Sequence, residues 1–346
     1  MSITSANKKV LRQLGLLFVI TFTIFFILEG MARFFGPKIL PADNSRKVAD
    51  GESLPNEPNL IGDALLGWRV KEGQSRQFGV PDITNINADG LRNINVLEDK
   101  DKTRILIVGD SSIYGVRVRD SENISGQLQA LLGKKGLEVE VLNGGCPGYS
   151  SWQVYRLLKE RLLKYKPDWV IVGTLWSDTQ GADQPDATQY GNVSMPWRYH
   201  SRLFVMANMY VSKKRWELED APEVHFGTDP VVAPTNRVPI GNYEEQLYAI
   251  DQLIKENGGN TVFLLLPGRQ DILYGKMGDF REGYRAVMRE VAAKVDAPIA
   301  DMPSQFHQIG REREYFMDDV HPTVKGYTVI ARELEAILEP RLTRLK

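Results

Sequence analysis

Residues 103–111, Thr-Arg-Ile-Leu-Ile-Val-Gly-Asp-Ser, decide the fold. Ile105 to Val108 are apolar at every position, the pattern of a strand covered on both faces. The run stops at Gly109-Asp110, where a tight turn presents Ser111. The same unit repeats outward from it. Residues of about 125–132 have helical spacing, and Leu-Glu-Val-Glu-Val-Leu-Asn-Gly-Gly, 137–145, is a second strand ending in a Gly-rich loop. Residues of about 151–165 place Trp152, Tyr155, Leu158 and Leu162 along one helix side. Residues 168–176 make a third strand. A helix over about 243–256 precedes a fourth, 261–268. A helix over about 280–295 precedes a short fifth, 297–302. The last helix covers about 324–338. This alternation predicts an α/β fold: a three-layer α/β/α sandwich of flavodoxin-like type, with a parallel sheet of about five strands.

Residues 179–240 interrupt the rhythm with several prolines and aromatics. Following the third strand, they sit at the carboxyl edge of the sheet and read as a cap over a cleft. Residues 37–102 form a linker and an extension. The first part is rich in Pro, Asp, Asn and Ser. The second contains Gly67-Trp68-Arg69-Val70 and the turn signal Asn87-Ala88-Asp89-Gly90, expected as short strands and loops packed on the domain 103–346.

Residues 1–36 read as a cytoplasmic tip and a transmembrane anchor. Lys8, Lys9 and Arg12 precede an uncharged run, Leu14 to Leu28. Counted to Phe35 the segment is 22 residues, against the ~20 that cross a hydrocarbon core as a helix. Glu29 and Arg33 stand four apart, so they pair on one helix face. The leading positive charges predict a cytoplasmic amino terminus and a remainder facing the periplasm or exterior, held at the inner (cytoplasmic) membrane. A cleaved signal peptide needs small residues after the run, and Glu29-Gly30-Met31-Ala32-Arg33 is a poor site. A buried core helix is the plainer alternative.

Composition excludes several classes. With 42% hydrophobic and 25% charged residues the 346-residue chain has material for a large core. A net charge of −1 gives no basic surface for nucleic acid. The single cysteine, Cys146, allows neither an intrachain disulfide nor a thiolate metal site. No metal and no organic cofactor is expected.

Four clusters carry candidate chemistry, and ligands of open parallel sheets bind at the carboxyl strand ends. Gly109-Asp110-Ser111-Ser112 presents a serine after the first strand; its plain reading is a helix cap. Asn143-Gly144-Gly145-Cys146-Pro147-Gly148 lets backbone N–H groups face a developing oxyanion; its plain reading is a turn. Cys146 fits a small buried residue better than a nucleophile. Gly173-Thr174-Leu175-Trp176-Ser177-Asp178 follows the third strand. Asp318-Asp319-Val320-His321-Pro322-Thr323 precedes the last helix. A nucleophilic serine needs a base, and the base an orienting carboxylate. An Asp three residues before a His can turn back onto the imidazole. The plain reading is a surface turn, and a metal site lacks a separated third ligand. His200, His225 and His307 have no comparable context.

Together these clusters resemble the SGNH hydrolases, the GDSL-like esterases and lipases, from about Thr103 to Leu338. The resemblance implies Ser111 as nucleophile, with its own N–H and that of Gly148 in the oxyanion hole, and Asp318 and His321 as acid and base. The stretch from Gly67-Trp68-Arg69-Val70 to Ile86-Asn87-Ala88-Asp89-Gly90-Leu91-Arg92 is similar, more weakly, to the region before the catalytic domain in membrane-anchored bacterial members. One departure stands out: Ser177 occupies the position where the family carries an oxyanion Asn. Loss of one such donor costs ~10²–10³ in turnover, so slow hydrolysis or a different substrate geometry is expected.

The implied function is a serine esterase acting on an acylated cell-envelope glycan or lipid. The alternatives are an O-acetyltransferase that modifies an envelope polysaccharide beside a membrane acyl-donor protein, and a non-catalytic binding module on the same fold. Trp197, Tyr199, Phe204, Tyr210 and Trp216 of the cap are candidates for stacking on sugar rings, although packing is the plainer role.

Overall fold

A computed structural model describes residues 5–35, most of 53–92, 102–189 apart from 183 and 184, and 235–343 apart from 275–277, 279 and 311. Five strands form the central sheet: β1 (Thr103–Gly109), β2 (Val139–Gly145), β3 (Trp169–Gly173), β4 (Asn260–Leu265) and β5 (Ile299–Asp301). All pairs are parallel and the spatial order is β5-β4-β3-β1-β2. The apolar runs explain this placement. Ile105 to Val108, Val170 to Val172 and Val262 to Leu265 are buried throughout, and only a sheet covered on both sides tolerates such runs.

The helices fall into two packed groups. Ile124–Lys134 (α1) lies against Val324–Thr343 (α2), while Ile240–Glu256 (α3) lies against both Ser151–Leu157 and Arg281–Lys294. The direction of strand addition reverses between β1→β2 and β2→β3. Right-handed crossovers therefore put the connecting helices on opposite faces and leave a switch point at the carboxyl ends of β1 and β3. The parallel sheet and flanking helices agree with the fold read from the sequence.

One expected helix is built differently. The stretch 151–165 is α-helical only to Leu157, then widens into a π turn, Leu158–Leu162, and tightens at Leu163–Tyr165. Leu157, Leu158, Leu162 and Leu163 are all buried. Their five-residue spacing is met by a π turn and not by a 3.6-residue repeat.

The extension forms an antiparallel hairpin of Glu57–Asp63 with Gly67–Val70, and a second pairing of Gly73–Ser75 with Thr84–Ile86. Arg92 fastens it to the sheet: its N–H donates to Asn143 O at 2.8 Å. The Arg92 side chain is wholly buried, pairs with Asp120 at 2.8 Å, and donates to the carbonyls of Tyr114, Gly115 and Val118.

A single helix runs from Ser5 to Phe35, and its apolar side chains, such as Leu16, Phe18, Phe22 and Ile27, are exposed. The transmembrane helix expected there is not found: among the described residues no helix is long and apolar enough to cross a membrane. The side chains of Leu14 and of 32–35, which the expected span includes, lie outside the described residues. Most of the expected cap, 190–234, also lies outside them, with its five named aromatics. The base of that insertion is described: Gly181–Ala182 pairs antiparallel with Thr235–Asn236.

Leu106 has no exposed surface at the centre of the sheet. Leu106→Ala is expected to lower unfolding stability by about 2–5 kcal/mol, read from chemical denaturation with an unchanged m-value.

Candidate active site

Three glycines set the geometry of the sheet edge. Gly109 of β1 pairs with Gly145 of β2 and Gly173 of β3, so three strands end level and their turns begin side by side. A Cβ on Gly109 would lie 2.0 Å from Gly173 O, and one on Gly145 would lie 2.3 Å from Tyr114 N. No side chain fits at either position. The short helix Ser111–Tyr114 can therefore sit directly on the edge. Asp110 caps it, accepting from Ser112 N at 2.9 Å, and Gly115 ends it in the left-handed region at φ 82°.

His321 reaches Ser111 from the loop before α2. That loop is closed by Met317 N donating to His321 O at 2.9 Å and Thr323 N to Tyr315 O at 2.8 Å. His321 Nε2 stands 2.8 Å from Ser111 Oγ, and Nδ1 stands 2.9 Å from both oxygens of Asp318. Asp318 also accepts from the backbone N–H groups of Val320 and His321, at 3.1 and 2.9 Å. Partial burial pushes its carboxyl up, but the His321 ring and these N–H donors outweigh burial and hold it below the ordinary value. Two contacts tie the loops together: Ser112 Oγ donates to Val320 O at 3.2 Å, and Tyr327 OH to Ser112 O at 2.8 Å.

Gly148 lies in the turn after β2, at φ 81°, where Tyr149 N donates to Cys146 O at 3.1 Å. Cys146 is buried and burial pushes its thiol up, which fits a packing residue. Ser177 is buried in the turn after β3. The hydrogen-bonded chain from Ser111 through His321 to Asp318 does not include it. His307 faces Ile272 O at 3.4 Å; His200 and His225 lie outside the described residues. Among the described residues no group of three His, Cys, Asp or Glu side chains is placed to hold a metal.

Four residues at this edge escaped the sequence reading, or were read there only as a cap or as part of a motif. Burial pushes the Asp110 carboxyl up to about 6, against the Ser112 N–H and the nearby His321. Asp178 accepts from Ser151 N and Oγ at 2.8 and 2.6 Å, and burial pushes it up to about 7. Each carboxylate leaves one oxygen, Oδ2, without a hydrogen bond. Trp68 and Arg237 brace the Gly148 turn. Trp68 Nε1 donates to Pro147 O at 3.1 Å, and Arg237 Nη1 to Gly148 O at 2.6 Å. Gly67-Trp68-Arg69-Val70 was the only signal in the sequence for the first, and nothing there singled out Arg237.

The model of the GDSL-like lipase/acylhydrolase family matches residues 107–329. The chain belongs to that family. Similar solved structures include Axe2, an acetylxylan esterase from Geobacillus stearothermophilus, at 16% identity over 68% of this chain and 93% of that one, with a TM-score of 0.46. A lipase/acylhydrolase from Enterococcus faecalis is similar at 16% identity over 69% and 96%, with a TM-score of 0.47. The acetyl xylan esterase AlAXEase is similar at 15% identity over 68% and 99%, with a TM-score of 0.46. No curated protein matched the chain. The segment matched to the GDSL-like family contains Ser111, Gly148, Ser177, Asp318 and His321; Trp68 falls outside it.

Asp110 generates a pH prediction. An acid raised on folding from 3.8 to about 6 contributes stability below its unfolded value, and that contribution is lost as pH rises through about 6. The Tm of Asp110→Asn minus that of wild type should therefore rise between about pH 4 and 6 and flatten above about pH 7. A difference flat across that range would show that Asp110 titrates normally. Gly148→Ala meets both a left-handed backbone and the Trp68 ring, with the new Cβ 3.1 Å from Trp68 Cζ2. A loss of about 1–3 kcal/mol in thermal or denaturant unfolding is expected.

Proposed function

We propose that the protein is a serine ester hydrolase in which Ser111 is the nucleophile, His321 the general base and Asp318 the residue that orients it. One observation carries this reading: the unbroken line from Ser111 Oγ to His321 Nε2 at 2.8 Å and from Nδ1 to Asp318 at 2.9 Å. Family membership supports it.

In the proposed reaction His321 Nε2 takes the Ser111 proton as Oγ attacks the ester carbonyl carbon. The Ser111 and Gly148 N–H groups face the oxygen that becomes negative, with Ser177 beside them. The protonated His321 gives its proton to the departing alcohol oxygen, leaving an acyl group on Ser111. His321 then deprotonates an incoming hydroxyl, whose oxygen attacks the acyl carbon, and returns that proton to Ser111 Oγ as the acyl–oxygen bond breaks. Asp318 stays ionised and keeps the imidazole proton on Nδ1. The proposed substrate is an acylated glycan or lipid of the cell envelope, and the Ser5–Phe35 helix is proposed to hold the protein at the inner membrane. The exposed apolar face of that helix supports this. Recovery of the full chain in the soluble fraction after alkaline extraction of membranes would rule the anchor out.

Transfer to a sugar hydroxyl differs from hydrolysis only in the last acceptor. Incubating the protein with an acetyl donor and an envelope polysaccharide separates the two: a transferase yields acylated sugar, and an esterase yields free acetate only.

The decisive test is labelling by a fluorophosphonate probe. Wild type should label, and Ser111→Ala should not. Asp318→Asn should still label, but hydrolyse p-nitrophenyl acetate about 10²–10⁴ times more slowly. Absence of labelling on folded wild type favours a binding module instead.

A further inference from the structure

We propose that Trp68, from the extension that precedes the family segment, is a positioning residue for the oxyanion site. Its indole N–H holds the Pro147 carbonyl and thereby aims the Gly148 N–H. The inference rests on the reading of Ser111 as nucleophile.

In a planar trans peptide the C=O and the following N–H point in opposite directions, and the described chain contains no cis peptide. Pro147 O and Gly148 N belong to one such unit. Trp68 Nε1 donates to Pro147 O at 3.1 Å, so the rotation of that unit is set from the extension side. Its N–H is left facing away from Trp68. The neighbouring unit is held as well, because Arg237 Nη1 donates to Gly148 O at 2.6 Å. Two consecutive carbonyls of the turn are thus each held by a side chain distant in sequence.

Trp68 is itself fixed. Its residue pairs with Gly62 across the hairpin, and its carbonyl accepts from Tyr149 OH at 2.6 Å. Its ring meets that of Tyr149 edge-on, with centroids 6.0 Å apart, and lies beneath the Arg237 guanidinium at 5.3 Å. Arg237 is anchored by Asp186, with hydrogen bonds of 2.7 and 3.0 Å, and by Gln153 at 2.8 Å. The ring also lies close over Gly148, where a Cβ would stand 3.1 Å from Cζ2. A turn free to rotate would require reorganisation as charge develops, and a donor fixed beforehand avoids it.

The experiment removes the N–H and keeps the ring. Trp68→Phe, and the full chain carrying β-(3-benzothienyl)alanine at position 68, are compared with wild type on p-nitrophenyl acetate. The benzothienyl side chain reproduces the shape of Trp without its N–H, so it decides the question if the Phe variant does not fold. The expected result is a kcat lower by about tenfold, a KM within about twofold and a parallel loss of affinity for an alkylboronic acid. Labelling of Ser111 should persist at a reduced rate. A kcat equal to that of wild type in the benzothienyl protein overturns the inference and leaves the Ser111 reading intact. So does a raised KM at unchanged kcat, which would place Trp68 in ground-state binding. A wild type that neither labels nor turns over overturns the Ser111 reading, and the inference with it.

Discussion

The close approach of Gly109, Gly145 and Gly173 at one level of the parallel sheet is the constraint on which the site depends. Two of the strand ends lie against backbone that a side chain would displace, Gly173 O beside Gly109 and Tyr114 N beside Gly145, and the third, Gly173, lies against the Ile113 side chain. Because the three turns start together, those that carry Ser111, Gly148 and Ser177 all begin at the border of one volume outside the sheet edge. The order β5-β4-β3-β1-β2 also places the reversal of connection at β1 and β3, so no crossover helix covers that volume. His321 then needs only a short loop before α2, and Tyr327 of the same helix fastens it to Ser112 O.

The electrostatics of this edge divide its acids into two kinds. Asp318 is partly exposed and surrounded by donors, which favours the ionised form. Asp110 and Asp178 are fully buried, each with one oxygen lacking a hydrogen bond, and burial dominates both. An Asp318 held below the ordinary carboxyl value beside His321 and a weakly acidic Asp110 at the cap of the Ser111–Tyr114 helix separate two environments that the sequence alone does not separate. Charge is concentrated on the carboxylate that meets His321 Nδ1. The acid that caps the Ser111–Tyr114 helix carries less of it near pH 6.

The strands and the Ser–His–Asp grouping were legible because each rests on local signals. Ile105 to Val108 are apolar without a break, and Asp318 and His321 are three residues apart in one turn. The π turn at Leu158–Leu162 was not legible, since Trp152, Tyr155, Leu158 and Leu162 recur at ordinary helical spacing and mask the five-residue repeat of the leucines. Trp68 and Arg237 were not legible for another reason. Trp68 meets Pro147 across a sequence separation of 79, and Arg237 meets Gly148 across 89. Contacts of that range leave no periodicity. Asp110 announced itself as a cap, which it is, but its complete burial carries no local signal.

Ser177, proposed to stand where the family carries an oxyanion Asn, bears on how the other proposed donors work. A serine hydroxyl reaches one bond less far from the backbone than an Asn amide. In the proposed mechanism the backbone N–H groups of Ser111 and Gly148 therefore carry a greater share of the developing charge. The first is fixed by the helix that Asp110 caps. The second lies at the centre of the turn that Tyr149 N closes onto Cys146 O, where the family segment brings only the weak Cys146 thiol, at 3.9 Å, to the Pro147 carbonyl among the described residues. Here the extension contributes Trp68 and the base of the insertion contributes Arg237, one to each carbonyl of the turn. Such contacts favour catalysis only if they keep the amide in place before charge appears, because an amide that must rotate into position uses interaction energy for reorganisation. On this argument the extension and the base of the insertion add rigidity at the Gly148 donor by holding the two carbonyls that flank it.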